Sequence, residues 1–459
     1  MKKTAIRNFT EGPVFRHLIT FALPLFLSNL LQAVYNVVDM IVVSHTIGKV
    51  GLSAVSVGGD ILTLLTFLAM GFSSAGQIII AQHIGAGREH RLGRIVGNLF
   101  TLLLGGSLLL SLITFWFRRK LLAVMNTPQE ALGMALQYVT MCIIGLVFIY
   151  GYNVVSAILR GMGDSRHPFM FIATAAIVNL ILDIVFIAGF HLQAFGAALA
   201  TVIGQGVSFI WGLVFLIRNK EQFHLSFSGN DFKPDKEISL TILELGIPMA
   251  IKSASITVSK LFVDAAVNSY GLVASGVCGI EHKFGMVSNL CSNAINTAGS
   301  TMIGQNIGAE KYDRVSRIMG AAFSIVLTVS VFLSALFLFI PETMFAIFSS
   351  DPEILAACRQ MVPLLVLLFF GSASRAPNNG LIDGSGNYKL NFAVALFDGI
   401  INRIGFAVLF GKVLGFGWIG YLYGDAVAGF TPFLIGAVYF LSGKWRTRKY
   451  IISKQNGDR

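Results

Sequence analysis

An asparagine and an aspartate lie four residues apart inside the strongly apolar stretch NLILDIVFI, residues 179–187. On a helix, Asn179 and Asp183 would share one face and lie one turn apart. An ionised carboxylate surrounded by hydrocarbon costs roughly 3 kcal/mol even on lenient scales. The stretch therefore belongs either to a membrane helix that faces something polar or to the core of a soluble domain.

Other polar residues of the first half point to the same chemistry. Asp39 lies within VYNVVDMIVV, three residues after Asn36, and Thr201 lies within GAALATVIGQ, whose small residues let neighbouring helices approach closely. Two carboxylates, an amide and a hydroxyl are hard oxygen ligands that suit a small hard cation. They equally suit a proton held by a desolvated carboxyl group. The alternative is that these groups only hydrogen-bond helices to one another.

The apolar segments of the second half combine acids with bases. The residues concerned are Lys260, Asp264, Glu281, Lys283, Asp398, Asn402, Arg403 and Asp425. Mutual pairing is the simplest interpretation of such a mixture, because a paired charge costs less in a membrane than an isolated one. The contrast suggests that the first half manages cation coupling and that the second half mainly moves.

The composition is that of a membrane protein. Of the 459 residues, 55% are hydrophobic and 12% are charged, against about 25% charged in soluble domains. Apolar stretches of about 20 residues, the length that crosses a bilayer as a helix, recur along the chain. The net charge of +11 gathers at the ends of these stretches, which argues against a nucleic-acid partner. Four scattered cysteines without a CxxC pair indicate neither a disulfide framework nor a zinc site.

The pattern predicts an all-α integral membrane protein with twelve transmembrane helices. The predicted spans are 16–45, 53–81, 92–117, 132–158, 168–190, 194–217, 239–268, 274–303, 315–340, 354–378, 389–411 and 416–442. A long polar segment divides them into an N-lobe (1–220), a cytoplasmic linker (221–238) and a C-lobe (239–459) that ends in a short basic tail. The first span continues past residue 40 without a cleavage pattern, so we expect it to remain as an anchor.

The two halves are predicted to be copies of one another. At a shift of 223 residues, 75–95 matches 298–318 at ten of 21 positions, and a shift of 224 pairs Pro24 with Pro248. Six spans in each half give two parallel six-helix bundles related by a pseudo-two-fold axis along the membrane normal. With both termini inside, the inner face carries 23 Lys and Arg residues and the outer loops carry five, as the positive-inside rule requires.

The chain resembles the bacterial multidrug and toxic compound extrusion (MATE) family over its whole length. The resemblance rests on the order and spacing of VYNVVDMIVVSHTIG, QHIGAGREHRLGR with its echo QNIGAEKYDR, LRGMGDSRHP, and NLILD followed by GAALAT. It implies two bundles around a central cleft that alternates between inward-open and outward-open states. It also implies export of amphiphilic, often cationic organic compounds in exchange for Na+ or H+.

The resemblance also implies a set of functional residues. The residues that match the family's cation-binding and coupling positions, where Na+ is a candidate ion, are Asp39, Asn179, Asp183 and Thr201. The residues expected to line or support the substrate cavity are Tyr35, Asn36, Asn153 and Pro24. Asp264 and Glu281 are C-lobe candidates, although they do not align clearly with the coupling acids of other branches. No catalytic residue is expected, and no cofactor beyond the coupling ion.

Three alternative functions stay open. A flippase for lipid-linked sugars or peptidoglycan precursors would hold a diphosphate with basic side chains of the C-lobe. The candidates for that role are Lys252, Lys260, Lys283 and Arg403. A major-facilitator transporter also has two parallel halves, but GAGREHRLGR is only loosely similar to its loop motif. An intramembrane prenyltransferase could use NLILD to hold a metal diphosphate, but the sequence lacks the second acid-rich cluster that such an enzyme needs.

We therefore expect a non-enzymatic, multi-pass antiporter of the bacterial cytoplasmic membrane with both termini in the cytoplasm. Its expected partners are membrane lipid and small organic cations, and no nucleic acid. We expect it to work as a monomer.

Overall fold

The computed structural model describes residues 6–348 and 351–447. Within these ranges every regular element is a helix, in agreement with the predicted all-α class. The basic tail from residue 448 onward lies outside the described residues.

Six α-helices make up the first half of the chain. They are α1 (Val14–Gly85), α2 (Leu92–Val124), α3 (Gln129–Ile144), α4 (Leu146–Gly161), α5 (Arg166–Asp183) and α6 (Gln193–Arg218). Gly48 interrupts α1 with a φ of 76°, a backbone conformation that glycine adopts without steric cost. The helices α3 and α4 form one span that bends by 46°. A π-helical segment, Ile184–Gly189, continues α5.

Ten shorter and longer α-helices make up the second half. They are α7 (Lys236–Asn268), α8 (Leu272–Gly308), α9 (Tyr312–Phe339), α10 (Pro341–Ala346), α11 (Pro352–Arg359), α12 (Val362–Gly384), α13 (Tyr388–Leu396), α14 (Asn402–Val408), α15 (Gly417–Ala428) and α16 (Thr431–Leu441). The pair α11 and α12 bends by 59° within one span. Two π-helical segments, Phe397–Ile401 and Leu409–Val413, make α13 and α14 part of one continuous span.

The helices account for the predicted number of spans. Among the described residues, eight helices are long and apolar enough to cross a membrane, or ten when each bent pair is one span. The 72 residues of α1 are counted there as one helix but contain two of the predicted spans, which Gly48 separates. The 37 residues of α8 are long enough to cross, although their many polar side chains make the helix less apolar. These two additions give the twelve spans predicted from the sequence.

The chain forms two compact units. Unit 1 is built on Leu27–Ala250, and unit 2 on Phe9–Phe26 together with Ile251–Ser453. The first part of α1 therefore belongs to unit 2, and the first part of α7 belongs to unit 1. The two boundaries, at Leu27 and Ile251, are 224 residues apart, which is the shift that relates the first prolines of the two halves. The predicted lobes divide the chain by its repeat and stay a prediction.

Close packing of α5 against α6 positions the polar residues of unit 1. A Cβ atom on Gly204 of α6 would lie 2.9 Å from the carbonyl oxygen of Ala175 and 3.3 Å from Cβ of Asn179. Gly196, Ala197, Ala198 and Ala200 of the same helix are also buried. The small residues of GAALAT thus bring Thr201 close to the polar face of α5.

The segment Phe9–Phe26 packs into the core of unit 2. The backbone N–H of Phe9 donates to Oε1 of Gln305 at 2.9 Å, and Nδ2 of Asn306 donates to the carbonyl oxygen of Phe9 at 3.2 Å. Nη2 of Arg314 donates to the same carbonyl at 3.1 Å. Phe9, Leu18 and Phe21 are fully buried in a cluster with residues of α8, α9 and α12.

Candidate cation site

The side chains of Asp39 and Asp183 meet inside unit 1. Asp39 comes from α1, and Asp183 is the last residue of α5 before the helix continues in π form. The two carboxyl groups lie within hydrogen-bonding reach of each other, and Asp183 is fully buried. No ion pair of the described residues includes either acid. Two facing carboxylates repel each other unless a proton or a cation lies between them.

Asn179, Thr201 and Tyr35 complete the group. Nδ2 of Asn179 donates to Oγ1 of Thr201 at 3.3 Å, and the Thr201 hydroxyl donates to the carbonyl of Ala197 at 3.0 Å. The Tyr35 side chain lies within hydrogen-bonding reach of Thr201 and close enough to interact electrostatically with both acids. The structure therefore brings together at one place the four residues that the sequence assigned to cation binding.

Several buried oxygens of this group lack a hydrogen-bond donor among the described residues. They are Oδ1 of Asp39, Oδ1 of Asn179, both carboxylate oxygens of Asp183, and Oε1 of Gln205. A buried acceptor that is left without a partner costs about 1–3 kcal/mol. A hard cation or a proton would satisfy these atoms, because all of them are oxygens from carboxylate and amide groups. The residues present therefore fit Na+ or H+ as a transported ion.

The predicted supporting residues have different positions. Asn36 is exposed on α1. The Nδ2 group of Asn153 donates to the carbonyl of Ile149, one turn earlier in α4, at 2.8 Å. Neither asparagine makes a described hydrogen bond to the acid pair. Pro24 lies inside α1, in the part that belongs to unit 2.

Sequence reasoning misses four polar residues near the acid pair. Gln32 and Gln205 line a small cavity together with Tyr35, Asn179 and Thr201. Helical spacing could have found both glutamines, since Gln32 precedes Tyr35 by three residues and Gln205 follows Thr201 by four.

The other two missed residues come from α3. Tyr138 and Cys142 lie within hydrogen-bonding reach of each other, and both are close enough to interact electrostatically with Asp39. They are four residues apart and buried, so they occupy one helix face. Nothing in the sequence of α3 indicates that this face meets α1.

Unit 2 surrounds its buried acids with bases. Nη2 of Arg403 donates to Oδ1 of Asp398 at 3.0 Å, and Nη1 of the same guanidinium pairs with Asp425. Nη2 of Arg375 lies 3.5 Å from Oδ1 of Asp398. Asp398 is completely buried and the Arg403 side chain is 2% exposed, so these charges neutralise one another out of water.

Lys252 is neutralised in the same way. Its Nζ donates to Oδ1 of Asp383 at 3.0 Å and to Oδ1 of Asn391 at 2.9 Å. Both side chains of the ion pair are nearly buried. The pairing predicted for the charged residues of the second half thus extends to a lysine that sequence reasoning had left without a partner.

The two C-lobe candidates, Asp264 and Glu281, also meet, and they do so around a histidine. Nε2 of His282 lies 3.3 Å from Oδ1 of Asp264 and 3.4 Å from Oε2 of Glu281. The thiol of Cys278 donates to the same Asp264 oxygen at 3.5 Å. This cluster combines oxygen, nitrogen and sulfur, whereas the group in unit 1 offers oxygens alone.

Comparisons with known proteins agree with the fold and with the repeat. Residues 24–185 and 248–409 match the family model MatE, which covers more than half of the chain in two segments at the shift found within the sequence. The chain is 29% identical over 449 residues to the probable multidrug resistance protein YpnP of Bacillus subtilis, covering 97% of this chain and 99% of that one.

Solved structures show the same fold. The crystal structure of MATE in complex with MaD3S superposes with a TM-score of 0.87 at 22% identity, covering 96% of this chain and 100% of that chain. A MOP-superfamily transporter from Pyrococcus furiosus, described as having a binding pocket of reverse polarity that suggests a different function, also gives 0.87 at 21% identity, covering 97% and 100%. Because the family model matches most of its length, this multi-pass membrane protein belongs to the MATE family of transporters.

Proposed function

We propose that the chain is a secondary active antiporter that exports organic, cationic amphiphilic compounds in exchange for Na+ or H+ by alternating access. The observation that carries the proposal is the acid pair Asp39 and Asp183, whose buried oxygens have no donor or basic partner among the described residues. Such a pair is stable only with a proton or cation between its members. A site of this kind can load an ion from one side of the membrane and release it to the other.

Uptake of the ion from outside would neutralise the acid pair and remove the need to keep it hydrated. The first helix would then bend at Pro24, which has no N–H to donate to the carbonyl four residues earlier. Because Pro24 precedes Leu27, where α1 passes into unit 1, a bend there would move the part of α1 that carries Tyr35 and Asp39. That movement would close the N-lobe cavity and release an organic cation outward.

The energy for export would come from the ion gradient and from the membrane potential. The potential favours inward movement of a cation by about 2.3 kcal/mol per charge per 100 mV. A ligand shifts a two-state equilibrium only through a difference in its affinity for the two states. The coupling ion and the exported compound must therefore favour opposite states of the transporter. The name of the Bacillus subtilis relative supports multidrug compounds as the exported class.

The pairing of the C-lobe bases favours this proposal over a diphosphate flippase. Lys252 is held by Asp383, and Arg403 lies between two aspartates. Binding a diphosphate there would require breaking buried ion pairs, and each broken pair would leave an uncompensated buried charge. We further propose that the protein lies in the cytoplasmic membrane as a monomer, with both termini inside.

The test is efflux of ethidium, a fluorescent organic cation, from proteoliposomes in which Na+ and pH gradients are imposed separately. We expect at least one gradient to drive efflux by the unmodified protein and Asp39→Asn to abolish it. Asp60→Asn is the matched control, because Asp60 is an exposed acid on the same helix. Normal efflux by Asp39→Asn would refute the coupling role. Binding of a lipid diphosphate without any ethidium efflux would replace the antiporter with the flippase.

A further inference from the structure

Four potential metal ligands converge at one end of the helical hairpin formed by α7 and α8. Asp264 lies in the last turns of α7, while Cys278, Glu281 and His282 lie in the first turns of α8. Cys278 and His282 are four residues apart and share one helix face. Ligand atoms of Asp264, Cys278 and His282 all lie within 4.8 Å of one another.

The distances between these atoms are those of a tetrahedral zinc site. Zn–N and Zn–O bonds are about 2.0–2.2 Å and Zn–S bonds about 2.3 Å, so ligand atoms at the corners of the tetrahedron are about 3.3–3.7 Å apart. The cluster has separations of 3.3 Å between His282 and Asp264, 3.4 Å between His282 and Glu281, and 3.5 Å between Cys278 and Asp264. The ligand atoms are therefore already spaced as an ion would require.

The Glu281 carboxylate gives a second, independent indication of a ligand. Its side chain is 3% exposed, and Oε2 makes no hydrogen bond in the described structure although it points at the imidazole of His282. An orphaned buried carboxylate oxygen is costly. Coordination to a metal would satisfy it.

The types of ligand select the class of ion. A thiolate and an imidazole favour Zn2+ over Na+, Mg2+ or Ca2+, which prefer oxygen alone. Asp264, Glu281 and the Cys278 thiolate would bring three negative charges to the ion, and Lys260 lies close enough to Glu281 to balance the remaining one. Arg403 and Asp425, which also act on Glu281 electrostatically, already form an ion pair.

We propose that Asp264, Cys278, Glu281 and His282 form a binding site for a divalent transition-metal ion, with Zn2+ the best fit. The ion would reach the site through the side chains of His282 and Asp264, which are 33% and 27% exposed. Once bound, it would tie α7 to α8. Cysteine spacing alone cannot reveal this site, because only one ligand is a cysteine and Asp264 comes from a different helix.

Co2+ is the probe for the first experiment, because a Co2+–thiolate bond gives a charge-transfer absorption band. We expect the purified full-length protein in detergent to bind one Co2+ with such a band, and Zn2+ to displace it. Cys278→Ser should abolish the band, and His282→Ala should weaken binding at least about tenfold. Cys291→Ser, which changes another cysteine of α8, should bind as the unmodified protein does.

A second measurement separates metal binding from misfolding. Zn2+ should raise the Tm of the unmodified protein and of Cys291→Ser, because a ligand that binds only the folded state stabilises it. Cys278→Ser should fold with a similar Tm in the presence of a chelator and gain nothing from Zn2+. The proposal is overturned by a Co2+ band that persists in Cys278→Ser, or by equal Tm gains in all variants. Absence of binding to the unmodified protein would leave His282 as a cation that bridges two carboxylates.

Discussion

Asn179 and Asn402 occupy equivalent positions of the repeat, 223 residues apart, and make equivalent hydrogen bonds. Asn179 donates to Thr201 at 3.3 Å in unit 1, and Asn402 donates to Thr431 at 2.9 Å in unit 2. The amide–hydroxyl pair has therefore been kept in both copies. Because it occurs twice, this pair alone does not distinguish an ion site from a helix contact.

The charges beside these pairs make the difference. Asp183 follows Asn179 by one turn and meets only another acid, whereas Arg403 follows Asn402 directly and lies between Asp398 and Asp425. A buried charge that is paired contributes to structure, and one that lacks a partner calls for a ligand. The comparison teaches that the partners of a buried acid, more than its position in the repeat, indicate its role.

The largest expected effect is on transport by Asp183→Asn. We expect gradient-driven ethidium efflux to fall to the level of protein-free liposomes, since an amide can neither share a proton with Asp39 nor neutralise a cation. The same change should raise the free energy of unfolding by about 1–3 kcal/mol, because it removes a buried carboxylate without a donor. Efflux and thermal unfolding measured on the same preparation check both parts. A variant that transports normally would remove the distinction between the two halves.

The next effect is on stability, in the other half. Arg403→Met should lower the free energy of unfolding by about 3–5 kcal/mol, because it leaves Asp398 and Asp425 buried without their partner. Denaturant unfolding of the purified protein measures this loss. Adding Asp398→Asn and Asp425→Asn to the same chain should recover much of it. An unchanged stability in Arg403→Met would mean that water reaches these acids.

A matched pair of substitutions compares the two asparagines directly. Asn179→Ala and Asn402→Ala should each cost about 1 kcal/mol of stability, the usual worth of one hydrogen bond. Only Asn179→Ala should also raise the Na+ or H+ concentration needed for half-maximal efflux, because only its oxygen faces the acid pair. An equal shift in both variants would show that the hydroxyl pairs act on transport through helix packing.

The smallest effect concerns Asp231, an acid outside the membrane spans that does have donors. Its Oδ2 accepts from Oγ of Ser226 at 2.6 Å and from N and Oγ of Ser228 at 2.8 and 3.0 Å. Burial acts to raise the pKa of Asp231, but these hydrogen bonds and Arg94 outweigh it and hold the pKa below its ordinary value. This carboxylate is the aqueous counterpart of Asp183.

The sign of the resulting pH dependence follows from that lowered pKa. Asp231 stabilises the folded linker fully above its unfolded pKa of about 4, and this stabilisation is lost as the pH falls through the lower folded value. Limited proteolysis of the segment 219–235 should therefore speed up on acidification below about pH 4, using a protease active in acid. In Asp231→Asn the segment should be cleaved faster at neutral pH, and acid should add less. Identical pH profiles for the two proteins would contradict the role of Asp231.

The sequence predicts the membrane fold and the acid pair well, because both depend on local patterns. A run of about 20 apolar residues must cross a bilayer as a helix, and an acid in such a run must face a polar group. The exposure of Asn36 follows from helical geometry too, since three residues do not complete a turn and leave it beside the face of Asp39.

The partners of the charged side chains in the second half could not be predicted. Lys252 finds Asp383 across 131 residues of chain, and the cluster around His282 joins two helices through a histidine that sequence reasoning treated as dispersed. Such contacts depend on the rotation of each helix about its axis. Hydrophobic periodicity sets that rotation poorly in a membrane, where lipid and protein interior are both apolar.

The division of α1 and α7 between the two units has a consequence for biosynthesis. Phe9–Phe26 emerges from the ribosome first but packs into unit 2, whose other residues begin at Ile251. Unit 1, in turn, stays incomplete until Lys236–Ala250 has been made. Neither half of the gene therefore encodes an autonomous domain. Two fragments produced by a cut in the connecting segment should mature only when they are expressed together.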